Sequence, residues 1–426
     1  LSAVSFYIDW STGVRYKRRW FQVLAVTLFA LPGIAVIDFL ARDPAAGHYI
    51  RDHLAYHRPP SASFDVVVED RPEAYRAYPR VPPGYPTIRF TGRTDKRGYR
   101  NLTDLERYDV VVLGDSFCGG ARVPDESLWP ARLAERTGRT VYNLGMSGYA
   151  PLHYLAALKR YGLKLHPKVV LCLLYEGNDF RSAKADRKQE KPSLSKRFKV
   201  YWKQSPIIRG IDELFVHTFG PLRAKAPVKG IEILDWMPLQ VPAGPQAKYY
   251  AFPPKQLRDL YRYTKDEFAV DRHWLAPRAL LKEMHERCRD IGARFVVLFA
   301  PSKAHVVLPL AADRLPADHV RAFARLRIKE NLPDGKTFLR TLLERLDAKE
   351  SVVRDWCEKR GIPFLSLTRP LRAAAAAGSQ VYFTYDQHWT PAGHAVVAET
   401  VERFLQSFEA PATSAAAYPD ILTARP

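Results

Sequence analysis

A three-layer α/β/α sandwich around a mostly parallel sheet, preceded by one N-terminal transmembrane helix, is the fold the sequence predicts. Two observations carry the sandwich. Short runs of Val, Leu and Ile, such as DVVVLG at 109–114 and KVVLCLLYEGND at 168–179, lack the polar alternation of a sheet with one wet face. Segments of helical periodicity separate them, which is the rhythm of parallel strands joined by crossover helices. The membrane helix rests on a third observation, the uncharged run WFQVLAVTLFALPGIAVI from Trp20 to Ile37 behind Arg15, Lys17, Arg18 and Arg19.

Taken in order, residues 1–19 form a basic cytoplasmic segment and 20–40 the anchor. The apolar run is long enough to span a bilayer, and its basic flank predicts a cytoplasmic start with everything after Asp38 outside the cytoplasm. A cleaved signal peptide is the main alternative, against which stand the length of the run and the lack of a clear A-x-A site behind it, and a buried core helix is the third, against which stands the basic flank. Residues 41–100, rich in Pro, Tyr and Arg with little periodicity, read as a linker and irregular segment.

The main domain follows at 101–410. Its strand at 109–114 leads to a helix at 125–138 closed by glycine, a strand at 140–145, a helix at 151–162 and the strand within 168–179. An insertion at about 181–270 breaks the rhythm. A helix at 274–291 and a strand at 293–301 resume it, a mostly helical insertion covers about 303–350, and a helix at 351–361, a strand at 362–367 and a closing helix at 391–408 complete it. Residues 411–426 form a tail.

With 426 residues, the chain has material for one large core of roughly 250 to 300 residues plus appendages. Its net charge of +20 predicts a surface that attracts anions: acidic glycans, phospholipid headgroups or nucleic acid. Between Arg181 and Gly230 thirteen Lys or Arg face four Asp or Glu, so a net +9 sits in fifty residues, either as a solvated basic surface or as an anion-binding one. Zinc-finger spacing, RNP-like motifs and recognition-helix patterns are absent from the sequence, so no nucleic acid partner is expected. The cysteines at 118, 172, 288 and 357 form no CxxC, which argues against a metal knuckle or dithiol redox motif. Neither metal nor cofactor is expected.

Ligands of open α/β sheets bind beyond the carboxyl ends of the strands, and four such places hold suggestive residues. GDS at 114–116 offers Ser116 as a nucleophile or as a helix cap. NLGMSGY at 143–149 offers Gly148, whose N–H can approach a ligand, or a turn glycine with positive φ. EGND at 176–179 offers Asn178 as a side-chain donor or a turn residue. YDQHWTPAGH at 385–394 offers Asp386 and His388, with Thr390 as the cap of the last helix. Singly, each is ordinary. Together, in chain order, they supply an acyl-transfer site: His388 takes the Ser116 proton, Asp386 orients the imidazole, and the backbone N–H groups of Ser116 and Gly148 with the Asn178 amide receive the oxyanion.

On those four blocks the sequence resembles the SGNH (GDSL-type) hydrolases, over about 95–180 and 290–408. The resemblance implies Ser116 as nucleophile, Gly148 and Asn178 as oxyanion-hole residues, His388 as base and Asp386 as acid, with Asp115 and Asp179 structural. The family spacing is D-x-x-H, whereas this chain has D-x-H. The D-x-H-W-T-P-x-G wording, with APSK at 300–303, is also similar to the SGNH-like domains of alginate O-acetyltransferases, although there the serine block follows the D-x-H block. That likeness implies short acyl groups on an exported polysaccharide, action beside a membrane-bound O-acyltransferase, and a place in the cytoplasmic membrane with the catalytic domain in the periplasm or at the cell surface. A lipid-directed esterase, lysophospholipase or thioesterase, with an apolar groove in the 181–270 insertion, is the second reading. A non-catalytic polysaccharide-binding module is the third.

Overall fold

Five parallel strands form the main sheet, in the order Val141–Asn143, Val110–Leu113, Val169–Tyr175, Arg294–Ala300 and Phe364–Ser366. A computed structural model of the chain describes residues 54–71, 82–120, 122–180, 237–241 and 247–407. The expected anchor at 20–40, the segment before it, the tail at 411–426 and the basic stretch at 181–230 lie outside the described residues. Among the described residues no helix is long and apolar enough to cross a membrane.

Two strands precede the sheet: β1 (Ser63–Val68) and β2 (Ile88–Arg93) pair antiparallel, in the stretch that composition alone marks as irregular. The sheet strands are β3 (Val110–Leu113), β4 (Val141–Asn143), β5 (Val169–Tyr175), β8 (Arg294–Ala300) and β9 (Phe364–Ser366). Between β5 and β8, β6 (Met237–Val241) and β7 (Lys248–Phe252) form a second antiparallel pair inside the expected insertion.

The side-chain period of two explains why the strands read as unbroken apolar runs. In β5, Leu171, Leu173 and Tyr175 enter one core, whereas Val170, Cys172 and Leu174 enter the other. The first core is closed by Trp129 and Leu133 of helix α1 (Trp129–Thr137) and by helices that follow β9. The second is closed by Tyr154 and Leu158 of α2 (Pro151–Arg160), Leu281 and Met284 of α3 (Arg272–Asp290) and Val353 and Trp356 of α4 (Ala348–Glu358). Helices on both faces of a parallel sheet give the expected three layers. Each buried Leu or Val contributes roughly 1.5–3 kcal/mol, and the strand interiors at β3, β5 and β8 are all buried.

After β9, the sequence TRPLRAAAA forms α5 (Thr368–Ala376), followed by the closing helix α6 (Pro391–Gln406). As expected, Thr390 caps α6, its side chain accepting the Gly393 N–H. The second expected insertion is helical, with Lys303–Val307, Ala317–Ala324 and Gly335–Glu344. All four cysteines are buried and free.

Candidate active site

β3 ends at Leu113, and the chain turns at once into a four-residue helix, Ser116–Gly119. Asp115, not Ser116, is the cap: its Oδ1 accepts the Phe117 N–H at 3.0 Å. That division of labour leaves the partly buried Ser116 hydroxyl for another partner. The partner comes from the segment before α6, where His388 Nε2 lies 2.7 Å from Ser116 Oγ.

The other face of the imidazole meets Asp386. His388 Nδ1 is 2.5 Å from Asp386 Oδ1, and the same oxygen accepts the His388 backbone N–H at 2.9 Å. This side-chain turn shows how a D-x-H spacing works: a carboxylate reaches the backbone N–H two residues on and the ring nitrogen beside it. The tautomer follows, since a carboxylate can only accept, which leaves Nε2 to receive the hydroxyl hydrogen. Arg122 Nε holds the second oxygen, Asp386 Oδ2, at 2.7 Å. Burial pushes the Asp386 carboxyl up, but His388 and Arg122 outweigh it and hold the group well below the usual carboxylate range. Phe117 packs on the His388 ring, with centroids 5.0 Å apart, and Trp389 meets Phe117 edge-on.

Asn178 follows β5, and its Nδ2 donates to Asp115 Oδ2 at 2.8 Å, so the ends of β3 and β5 are tied together. Its Oδ1 is buried without a hydrogen-bond partner among the described residues. Asp179 Oδ2 accepts the Tyr175 N–H and the Tyr154 hydroxyl, both at 2.8 Å, a bracing position. Gly148 sits in the turn after β4 with φ +84°, where a Cβ would be strained. That turn is seated against the Ser116 helix: Met146 N–H donates to Gly114 O at 3.2 Å, and Asn143 bridges the Gly145 N–H and the Cys118 carbonyl. Ser116, His388, Asp386 and Asn178 are thus joined through one hydrogen-bonded neighbourhood, and the Gly148 turn rests on its wall.

A family model for the GDSL-like lipase/acylhydrolase family matches residues 112–396, more than half of the chain. The chain belongs to that family. Within this GDSL-like chain the match runs from inside β3, just ahead of Ser116, to inside α6, just past His388. Members of the family, and of the SGNH superfamily to which it belongs, are serine acyl hydrolases.

Solved structures similar to it include a lipolytic protein of the G-D-S-L family from Desulfitobacterium hafniense, 13% identical, covering 69% of this chain and 97% of that one at a TM-score of 0.32. A GDSL-like lipase from Bacteroides thetaiotaomicron is 11% identical over 71% of this chain and 89% of its own, at 0.31. An acetyl xylan esterase is 9% identical over 70% and 98%, at 0.33. No curated protein matches the chain.

Several buried polar residues of this GDSL-like chain escape a reading of strand ends. Asp70, ahead of the family match, reaches the segment that leads to Asp386, and so does Lys303 of APSK. Burial pushes the Lys303 ammonium down to about 7, against the opposing pull of the Asp70 and Asp386 carboxylates. Glu176, the first residue of EGND, accepts from the Ser302 N–H at 2.9 Å and faces His305 Nδ1 at 3.2 Å, while His305 Nε2 meets Asp347 at 2.8 Å. Burial lowers His305, but Glu176 and Asp347 outweigh it and hold the ring at about 10. His305, Asp347 and Glu350 also stand close enough together to be compared with a metal set. Both His305 ring nitrogens already face carboxylates, that of Glu176 buried and that of Asp347 exposed, so the group reads as an ion-pair network running from the core to the surface.

A cavity of about 650 Å³ lies elsewhere: Arg97, Arg107, Arg160, Lys164 and His166 line it at the amino ends of β3 and β5, the opposite ends from Ser116. Beside Gln387 lies a small recess of about 30 Å³, lined by Tyr175, Glu176, Lys255 and Lys349 among others.

Proposed function

We propose that the chain is a membrane-anchored, extracytoplasmic serine enzyme that hydrolyses or transfers short acyl esters, acetyl above all, on a cell-surface or exported polysaccharide. The observation that carries the chemistry is the continuous hydrogen-bonded row from Ser116 Oγ through the two ring nitrogens of His388 to Asp386.

In this reading Ser116 Oγ attacks the acyl carbonyl while its proton passes to His388 Nε2. The imidazolium formed is stabilised by the ionised Asp386, which keeps its negative charge throughout. The carbonyl oxygen, now an oxyanion, is received by the Ser116 and Gly148 N–H groups and the Asn178 amide, donors of which each is worth roughly 3–4 kcal/mol of barrier. Collapse breaks the bond to the leaving alcohol, which takes the proton from His388 and leaves an acyl-Ser116 ester. A second hydroxyl then gives its proton to His388 and attacks that ester; the bond to Ser116 Oγ breaks, Ser116 takes the proton back from His388, and the acyl group leaves on the second oxygen. Water as the second hydroxyl makes the enzyme an esterase, and a sugar hydroxyl makes it a transferase.

The polysaccharide is supported by the D-Q-H-W-T-P-A-G wording around His388 and by the net charge of +20, which suits an acidic polymer. The anchor at 20–40 is supported by its uncharged run and basic flank. A membrane-bound O-acyltransferase that delivers the acyl group is the matching partner.

The test is acetate release from p-nitrophenyl acetate by the full chain, with and without an acidic oligosaccharide acceptor, with acceptor acetylation followed by mass. Acetate release alone supports an esterase, and acetylated acceptor at the expense of acetate supports a transferase. Failure of both, with retained binding of the acidic oligosaccharide, replaces the reading with that of a polysaccharide-holding module.

A further inference from the structure

We propose that Asp70 and Lys303 are positioning residues that clamp the Thr384 peptide from both sides and thereby set where Asp386 and His388 stand. The inference rests on the reading of Ser116, His388 and Asp386 as the reacting set.

The segment 383–388 belongs to no helix or sheet strand, so its backbone groups need partners from elsewhere in the chain. Asp70 supplies acceptors. Its Oδ2 receives the Thr384 N–H at 2.6 Å and the Tyr85 N–H at 2.7 Å, and its Oδ1 receives the Tyr385 N–H at 2.9 Å. Lys303 supplies the donor for the other side of the same residue, its Nζ lying 2.7 Å from the Thr384 carbonyl and 2.6 Å from the Ala251 carbonyl. The Ala251 N–H donates to Thr384 O at 2.8 Å, so β7 completes the set of partners.

Two further facts turn this clamp into a positioning device. Asp70 is 7% exposed and Lys303 wholly buried, so water cannot take over either role. The segment is also closed on itself, since Phe383 N–H donates to His388 O at 3.1 Å, and a displacement of Thr384 is passed to Asp386 and His388 rather than absorbed between them. A solvent-excluded ammonium and carboxylate are costly to bury. Here they fix the one segment that carries the imidazole to a serine 272 residues away in sequence. Asp70 lies ahead of the family match at 112–396, so the strand pair before β3 belongs to the working enzyme.

The experiment compares full-length wild type with Lys303→Met and Asp70→Asn, which keep side-chain shape, and with Asp109→Asn. Asp109 serves as the control because its carboxylate braces Thr140 and Lys168 at the far end of β3 and makes no bond to 383–388. Three quantities are read: thermal melting, kcat and KM on p-nitrophenyl acetate, and the far-downfield proton resonance of His388 Nδ1–H, identified by its loss in His388→Gln. In Lys303→Met and Asp70→Asn the resonance shifts or broadens, and kcat falls on the order of 10- to 100-fold with KM little changed. Asp109→Asn loses stability but keeps both the resonance and kcat. The proposal is overturned if folded Lys303→Met and Asp70→Asn retain the wild-type resonance, or if Asp109→Asn perturbs it equally. A wild type that shows the resonance but cleaves no ester defeats the functional reading, while the resonance still decides the clamp.

Discussion

Asn178 Nδ2 donates to Asp115 Oδ2 at 2.8 Å, and through this bond the end of β5 holds the residue that caps the Ser116 helix. One carboxylate therefore serves the helix terminus and the orientation of the amide proposed to receive the oxyanion. Asp115→Ala removes both bonds. The expected result is a stability loss of about 1–3 kcal/mol, from the lost cap and the buried amide left unpaired, together with reduced kcat. Urea unfolding and steady-state kinetics on the same preparation check it.

Asn178→Ala separates the two effects, because it leaves the Asp115 cap bond to Phe117 intact. A donor that acts on the oxyanion is used in the transition state more than in the ground state. The expected outcome is a fall in kcat of roughly 10²–10³ with little change in KM. A loss confined to KM would assign Asn178 to substrate binding.

Asp386 and Arg122 form a second graded pair. Asp386→Asn loses the negative charge and offers His388 an amide, so kcat is expected to drop by about 10⁴ as the wrong tautomer becomes available. Arg122→Met leaves the Asp386–His388 bond and removes only the cation that holds the second oxygen. Its expected effect is smaller, on the order of tenfold. Ranking the two in a single assay tests whether the orienting charge is Asp386 itself.

The His305 network makes a prediction about pH. His305 is held at about 10, above its ordinary 6.5, so its folded form binds a proton more tightly than its unfolded form. The stabilisation is complete below 6.5 and is lost as pH rises through 10. His305→Gln should therefore be less stable than wild type at pH 6, and the difference should shrink steadily towards pH 10. Denaturant midpoints across that range check the sign, and a difference that grows with pH would contradict it.

The sheet was legible in the sequence because β3, β5 and β8 are buried on both faces and so lack polar alternation. Ser116, Asn178, Asp386 and His388 could be grouped because Ser116 and Asn178 stand just past β3 and β5, and Asp386 and His388 complete an acyl-transfer set in chain order. Asp70 could not. It lies in a Pro- and Tyr-rich stretch without periodicity, and its partners at Thr384 and Tyr385 are 314 and 315 residues away. Lys303 was hidden by chemistry rather than distance, since a lysine reads as a surface residue until its surroundings are seen. The helix Thr368–Ala376 escaped because Pro370 reads as a breaker, yet a proline in the first turn interrupts no helical bond. The β6–β7 pair escaped for a similar reason, since Pro238 stands inside a strand that pairs with β7 alone.

The central claim is that Ser116 is the nucleophile, and trapping the acyl group tests it most directly. Full-length wild type and Ser116→Ala are mixed with p-nitrophenyl acetate, quenched in acid within the first turnovers, and their peptides mapped by mass. The account predicts an acetyl group on the peptide that carries Ser116 in wild type, a burst of p-nitrophenol to match, and neither in the variant. Equal turnover by Ser116→Ala, or acetyl carried stably on another residue in both proteins, would contradict it.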